Sequence, residues 1–242
     1  MEYKNGLLHQ RREKAIRENS TLKVLFIGNS ATYVHEIPQT LCRLASDAGY
    51  HMEVSSVVKG GYELSQHSDV TTEHGKSVFE EIQRGYDVVI LQDNGNCVTS
   101  DAKREASAAA CRALHDAVQA SGGETFFYVR PPYGTHHAGR TPFDQCVEFD
   151  KFFGTIAEDL GIVCAYVNRA FAYAMNHLPF DLWGPDHAHT SERGAYLAVC
   201  VFFATLFGTS STVLEANDLP PQDAKILQAV ADKIALQDFL LW

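Results

Sequence analysis

The run Lys23-Val24-Leu25-Phe26-Ile27-Gly28-Asn29-Ser30 decides the fold class. Residues 24–27 are apolar without interruption, which suits a strand buried on both faces, as in a parallel sheet. Gly28 stops the run, and Asn29 and Ser30 are residues that favour a turn. Working outward, the same unit recurs. Residues 53–58 read as a second strand, closed by Gly60-Gly61, and residues 87–91 as a third. Residues 125–129 give a fourth strand, broken by Pro131-Pro132, and residues 162–167 a fifth. Between them, apolar residues spaced by three and four mark helices: Ile37, Leu41, Leu44, Ala45 and Ala48, then residues 78–84, 102–120 and 143–160. Two further helices are expected near 191–207 and 222–239, joined by a linker over 208–218. Strand and helix alternating five times with short connections predicts an α/β fold, a doubly wound five-stranded parallel sheet between helical layers.

The chain has 242 residues, 45% hydrophobic and 21% charged, too apolar for a disordered segment. At this length one α/β core buries roughly 70–75% of the unfolded surface, so no disulfide or metal staple is required. Twenty basic against 30 acidic residues leave a net charge of −10, which argues against nucleic acid as a partner. The six cysteines (42, 97, 111, 146, 164 and 200) contain no Cys-x-x-Cys pair, against structural zinc. Residues 1–20 are rich in Arg, Lys and Glu and lack the apolar core of a signal peptide. No stretch reaches the ~20 apolar residues of a membrane span. The expectation is a charged extension over 1–20, then a single domain over 21–242, in a reduced cytoplasmic protein that meets no membrane.

Open parallel sheets bind ligands beyond the carboxyl ends of their strands. Gly28-Asn29-Ser30 follows the first strand, Gly60-Gly61 the second and Gln92-Asp93-Asn94 the third. Asp186-His187-Ala188-His189 follows the last strand and a helix. A serine, glycines, an amide and an Asp/His pair are thereby brought to one rim. Each alone has a plainer reading as turn chemistry; it is their convergence that is informative.

In these four blocks the sequence resembles the SGNH (GDSL-like) hydrolase superfamily. Phe26-Ile27-Gly28-Asn29-Ser30 resembles the first block, Lys59-Gly60-Gly61-Tyr62 the second, and Ile90-Leu91-Gln92-Asp93-Asn94 the third. Asp186-His187-Ala188-His189 matches the family's Asp-x-x-His, and residues 191–196 resemble the helix that follows it. The similarity spans about residues 23–207. It implies a three-layer, flavodoxin-like sandwich, Ser30 as nucleophile, His189 as base, Asp186 as its orienting partner, and an oxyanion hole from Ser30, Gly61 and Asn94. The sequence departs from the pattern in three places. Asn29 replaces the usual Asp, Gly95 follows Asn94 where an Asp is common, and Thr190 replaces a Pro. Asn96 offers a competing amide.

The chemistry supports the same assignment. A serine hydroxyl is a weak nucleophile until a base takes its proton, and neutral His suits that near pH 7. Asp186 and His189 are three apart, so in a helical turn both side chains share a face. A Cβ at position 61 would crowd the substrate. The run Gly28-Asn29-Ser30-Ala31-Thr32 is not a Gly-x-Ser-x-Gly elbow, which weighs against an α/β-hydrolase. Dinucleotide and Walker glycine motifs are absent, and no cofactor is called for. Around the rim, Tyr62, Arg130, Tyr133 and Trp183 are candidate substrate contacts; Arg130 suits an anionic substrate group, although a structural ion pair is the commoner use of such an arginine. His136-His137 lacks a third metal ligand at a recognised spacing. The expected activity is hydrolysis of a small acyl ester, such as an acetyl group on a carbohydrate, through a Ser30 acyl-enzyme. Thioesterase or acyltransferase action at the same site, a non-catalytic binding protein, and a metal-assisted hydrolase built on Asp186, His187 and His189 are the alternatives.

Overall fold

The computed structural model describes residues 21–237. The charged segment 1–20 lies outside them. Five strands, β1 (Leu22–Gly28), β2 (Met52–Val58), β3 (Val88–Leu91), β4 (Glu124–Tyr128) and β5 (Val163–Ala165), form one parallel sheet in the order β2-β1-β3-β4-β5. This is the flavodoxin-like order, whose switch point lies between β1 and β3, where the chain reverses its direction of travel across the sheet. β1 sits beside it, in register Leu22↔Met52 with β2 and Val24↔Val88 with β3.

Alternation along the strands divides the apolar side chains between two helical layers. Val24, Phe26, Val88, Ile90, Phe126 and Tyr128 face helices α2 (Ile37–Asp47), α7 (Val167–His177) and α8 (Glu192–Phe207), and α9 (Pro221–Leu236) belongs to the same core. Leu25, Ile27, Val89, Leu91, Phe127 and Val129 face α3 (Leu64–His67), α4 (Glu73–Ile82), α5 (Asp101–Ala120) and α6 (Pro142–Leu160). A four-residue helix, α1 (Ser30–Tyr33), follows β1 directly. The result is a three-layer α/β sandwich.

Helix α8 is apolar nearly all round, as suits an element covered on every side. Val201, Phe202 and Phe203 are fully buried, and Phe202 meets Phe26 and Tyr128 edge-on at centroid distances of 5.6 and 4.8 Å. Helix α9 joins this core through α8, where the Gln228 amide donates to the Tyr196 hydroxyl (2.8 Å), rather than by lying directly on the sheet. The expected linker is built in. Ser211 is buried, and its N–H and hydroxyl both donate to Asp232 of α9 (2.7 and 2.8 Å).

The fifth strand is shorter than its apolar run suggests. As an edge strand it pairs only with β4, and helix α7 begins at Val167, where the Asn168 N–H donates to Val129 O (3.0 Å). All six cysteines carry free thiols. Among the described residues no helix is long and apolar enough to cross a membrane.

Candidate active site

The turn after β1 is set by side chains buried beneath it. A Cβ on Gly28 would stand 2.6 Å from Gln92 Oε1 and 2.7 Å from Thr32 Oγ1, so only glycine fits there. Gln92 is fully buried, and its Oε1 accepts from the Asn29 N–H (2.8 Å) and the Thr32 hydroxyl (2.9 Å). Asn29 then caps α1. Its Oδ1 accepts from the Ala31 N–H (3.1 Å) and its Nδ2 donates to Tyr62 O (2.8 Å). An ionised aspartate could make the first bond but not the second, so Asn29 ties the Ser30 turn to the loop at Gly60-Gly61.

Ser30 opens α1 with its side chain toward the rim. Its Oγ lies 2.8 Å from His189 Nε2, and His189 Nδ1 lies 2.7 Å from Asp186 Oδ2. The other oxygen of Asp186 accepts from the Ala188 and His189 N–H groups, both at 3.0 Å. Those backbone bonds, with the His189 ring, hold the Asp186 carboxyl well below the usual carboxylate range. The carboxylate therefore favours a proton on His189 Nδ1 and a free Nε2 facing the serine.

The pair does not stand on a helical turn, as its spacing suggested. It lies on a loop in which His187 adopts a left-handed φ of 51°, and the Asp186 side chain replaces the helical hydrogen bonds. The loop is fastened on several sides. Gly184 N–H donates to His189 O (2.8 Å), Gly134 N–H to His187 O (2.7 Å), and His35 Nε2 to Thr190 O (2.9 Å).

Gly61 has φ +73°, and a Cβ there would meet nothing within 4 Å. The backbone conformation alone therefore favours glycine there, and the space a Cβ would take is left clear of protein atoms. Asn94 Nδ2 donates to Gly61 O (3.0 Å) and its Oδ1 accepts from the Asn96 N–H (3.0 Å). An amide nitrogen carries two hydrogens, so one remains on Asn94. Asn96, the competing amide, accepts at Oδ1 from His137 Nε2 (2.7 Å), which leaves its own amide hydrogens uncommitted among the described residues. The Ser30 and Gly61 N–H groups donate to no acceptor among the described residues.

The four rim residues read as substrate contacts all have protein partners. Tyr62 packs edge-on against His67 and His74. Trp183 Nε1 donates to Pro132 O (2.9 Å), and its ring meets Phe171. Tyr133 lies under the Arg130 guanidinium and packs at a tilt against His137. Arg130 is buried, its Nε donating to Pro131 O (2.9 Å) and its Nη2 to Ala188 O (3.4 Å).

Other contributors escaped the sequence reading. Buried Asp93 accepts from the Leu64 and Asn94 N–H groups (2.8 and 2.7 Å) and from the Ser107 hydroxyl; burial pushes its carboxyl up to about 6. Fully buried His67 contacts Gly28 O through Nε2 (3.0 Å) and His74 through Nδ1 (2.9 Å), and burial lowers it to about 4. Tyr33, 43% exposed, brings its hydroxyl beside Gly60. No periodic pattern announces such contacts, though Gln92 and Asp93 do stand directly after an apolar strand.

A cleft of about 660 Å³ opens nearby, among its walls His35, Glu36, Arg43, Glu192 and Asn217, but neither Ser30 nor His189 lines it. Among the described residues, no group of three or more His, Cys, Asp or Glu side chains is placed to hold a metal ion.

No family model matches the chain, and no curated protein does. Solved structures do. A candidate SGNH hydrolase from Slackia heliotrinireducens superposes with a TM-score of 0.65 at 24% identity, covering 75% of this chain and 97% of its own. A DUF4886 family protein from Bacteroides uniformis gives 0.77 at 18% identity, over 91% and 97%. Axe2, an acetylxylan esterase from Geobacillus stearothermophilus, gives 0.59 at 18% identity, over 78% and 95%. With the sheet order and the four rim loops described above, these likenesses show that the chain has the SGNH hydrolase fold.

Proposed function

We propose that the protein is a serine hydrolase of small acyl esters. The observation that carries this is the unbroken relay Ser30 Oγ, His189 and Asp186, at 2.8 and 2.7 Å, beside the open N–H groups of Ser30 and Gly61. His189 Nε2 takes the Ser30 proton as Oγ attacks the ester carbonyl, while Asp186 stabilises the imidazolium. The oxyanion that forms accepts from the Ser30 and Gly61 N–H groups and the second Asn94 amide hydrogen, each such donor worth ~3–4 kcal/mol in the transition state. His189 returns its proton to the leaving alcohol, leaving Ser30 acylated. Water, deprotonated by the same imidazole, then releases the acid. Likeness to an acetylxylan esterase supports an acetyl group on a carbohydrate as the substrate class. A thioester or an acceptor alcohol would use the same groups in the same order.

The test is labelling with a fluorophosphonate probe, followed by mapping of the modified residue, alongside turnover of phenyl acetate. Modification at Ser30 and a loss of roughly 10⁴–10⁶-fold in Ser30→Ala and His189→Ala are expected, with a smaller loss in Asp186→Asn. Turnover that survives Ser30→Ala refutes the assignment, and ligand binding with no turnover at all would mark a binding protein.

A further inference from the structure

Arg130 stands at the end of β4 with only 5% of its surface exposed, and it forms no ion pair with a carboxylate among the described residues. Two carbonyl oxygens, Pro131 O and Ala188 O, accept from Nε and Nη2, and the Tyr133 ring lies 4.4 Å from the guanidinium carbon. Nη1 donates to nothing among the described residues, and it lies 2.8 Å from where a Cβ on Gly95 would be. Taking a guanidinium out of water without a counter-charge is costly, and carbonyl and ring contacts return only part of that cost.

Its position relates this charge to the chemistry. Ala188, which it touches, precedes His189, and Gly95 follows Asn94. The neighbouring imidazole of His137 is held down first by burial and then by the charges of Arg130 and Arg140. Arg140 has a partner of its own in Glu148. Arg130 thus leaves a positive charge with an unused donor between the loop of the base and the loop of the Asn94 amide.

We propose that Arg130 is a specificity-determining residue that receives a carboxylate borne by the ester substrate. The inference rests on the ester-hydrolase reading above and narrows its substrate class to acidic esters. A guanidinium fork suits a planar carboxylate, and a lysine supplies only a point charge. Contact with Ala188, next to the group that protonates the leaving oxygen, favours a carboxylate on the alcohol portion, as in an acylated acidic sugar.

Two matched pairs of esters test this. One is 4-acetoxybenzoate against phenyl acetate, with the charge on the alcohol. The other is monophenyl succinate against phenyl butyrate, with the charge on the acyl group. The readout is the ratio of kcat/KM within a pair, compared between wild type and Arg130→Gln, so that intrinsic reactivity cancels. The first pair's ratio should fall about 10- to 100-fold in Arg130→Gln, the range for a hydrogen bond to a charged group, and recover in part in Arg130→Lys. A fall in the second pair alone would place the same anion site on the acyl side. Ratios unchanged in both pairs overturn the proposal.

If Arg130→Gln does not fold, inhibition of the wild type decides. Benzoate should inhibit at least tenfold more tightly than benzamide, and equal inhibition overturns the inference. Should no ester be turned over, the hydrolase reading fails by itself. Calorimetric binding of benzoate to Ser30→Ala, compared with benzamide, then still tests the anion site.

Discussion

Replacing Asp93 with Asn removes one buried charge and little else. The carboxyl is 2% exposed, with Oδ1 accepting from two backbone N–H groups and Oδ2 from the Ser107 hydroxyl. Burial lifts it from 3.8 to about 6, more than these donors offset. An unfolded chain releases the proton near the lower value, so between the two the folded state holds a proton that the unfolded state has lost. Stability contributed by the protonated carboxyl is fully present below the unfolded value and is lost as pH rises through about 6. The gap is worth roughly 3 kcal/mol once both states are ionised. Asparagine keeps an oxygen for the Leu64 and Asn94 N–H groups, and its Nδ2 donates to the Ser107 oxygen. Urea unfolding of both proteins should therefore show Asp93→Asn more stable at about pH 7.5, by as much as roughly 3 kcal/mol, with the advantage shrinking as the pH falls toward about 4. A difference between the two proteins that does not change with pH would refute the reasoning.

Two further experiments separate backbone strain from chemistry and buried charge from packing. Gly61→Ala places a Cβ where no protein atom stands but forces alanine to φ +73°. Urea unfolding should show a loss of about 1 kcal/mol, with a larger proportional fall in ester turnover if the strained turn re-aims the residue 61 N–H; unchanged kcat/KM would show that the turn holds its geometry without glycine. Arg169→Met strands the Asp150 carboxylate, 3% exposed, and should lower stability by about 3–5 kcal/mol in the same assay. The double change Asp150→Leu with Arg169→Met should recover most of that loss, and failure to recover would mean that packing, not charge, governs the site.

The strands and long helices were legible because their apolar residues repeat at the period of the element they form. Leu41, Leu44 and Ala45 face the sheet at helical spacing, and residues 24–27 are buried on both faces. Helices of four residues, such as Ser30–Tyr33 and Leu64–His67, are too short to have a period. The start of α7 was hidden because Val167 continues an apolar run while the edge position of β5 lets the chain leave the sheet. At the site, the residue types at strand ends were readable, since topology alone brings strand ends to one rim. The support beneath them was not. Gln92, Asp93 and His67 act through partners 63, 29 and 39 residues away, and nothing local in the sequence marks such pairings. The Asp186 and His189 spacing named the right partners with the wrong backbone, because an aspartate oxygen accepting N–H groups two and three residues on does what a helical turn would.

The separation of Ser30 from His189, 159 positions along the chain, has a consequence for biosynthesis. The Ser30 hydroxyl leaves the ribosome long before the His189 imidazole that it meets, and the face of β1 that carries Phe26 waits for Phe202 to cover it. On the proposed assignment, a nascent or prematurely terminated polypeptide therefore bears the nucleophile in an inert form. On that assignment, competence requires the segment around residues 186–207 to have docked.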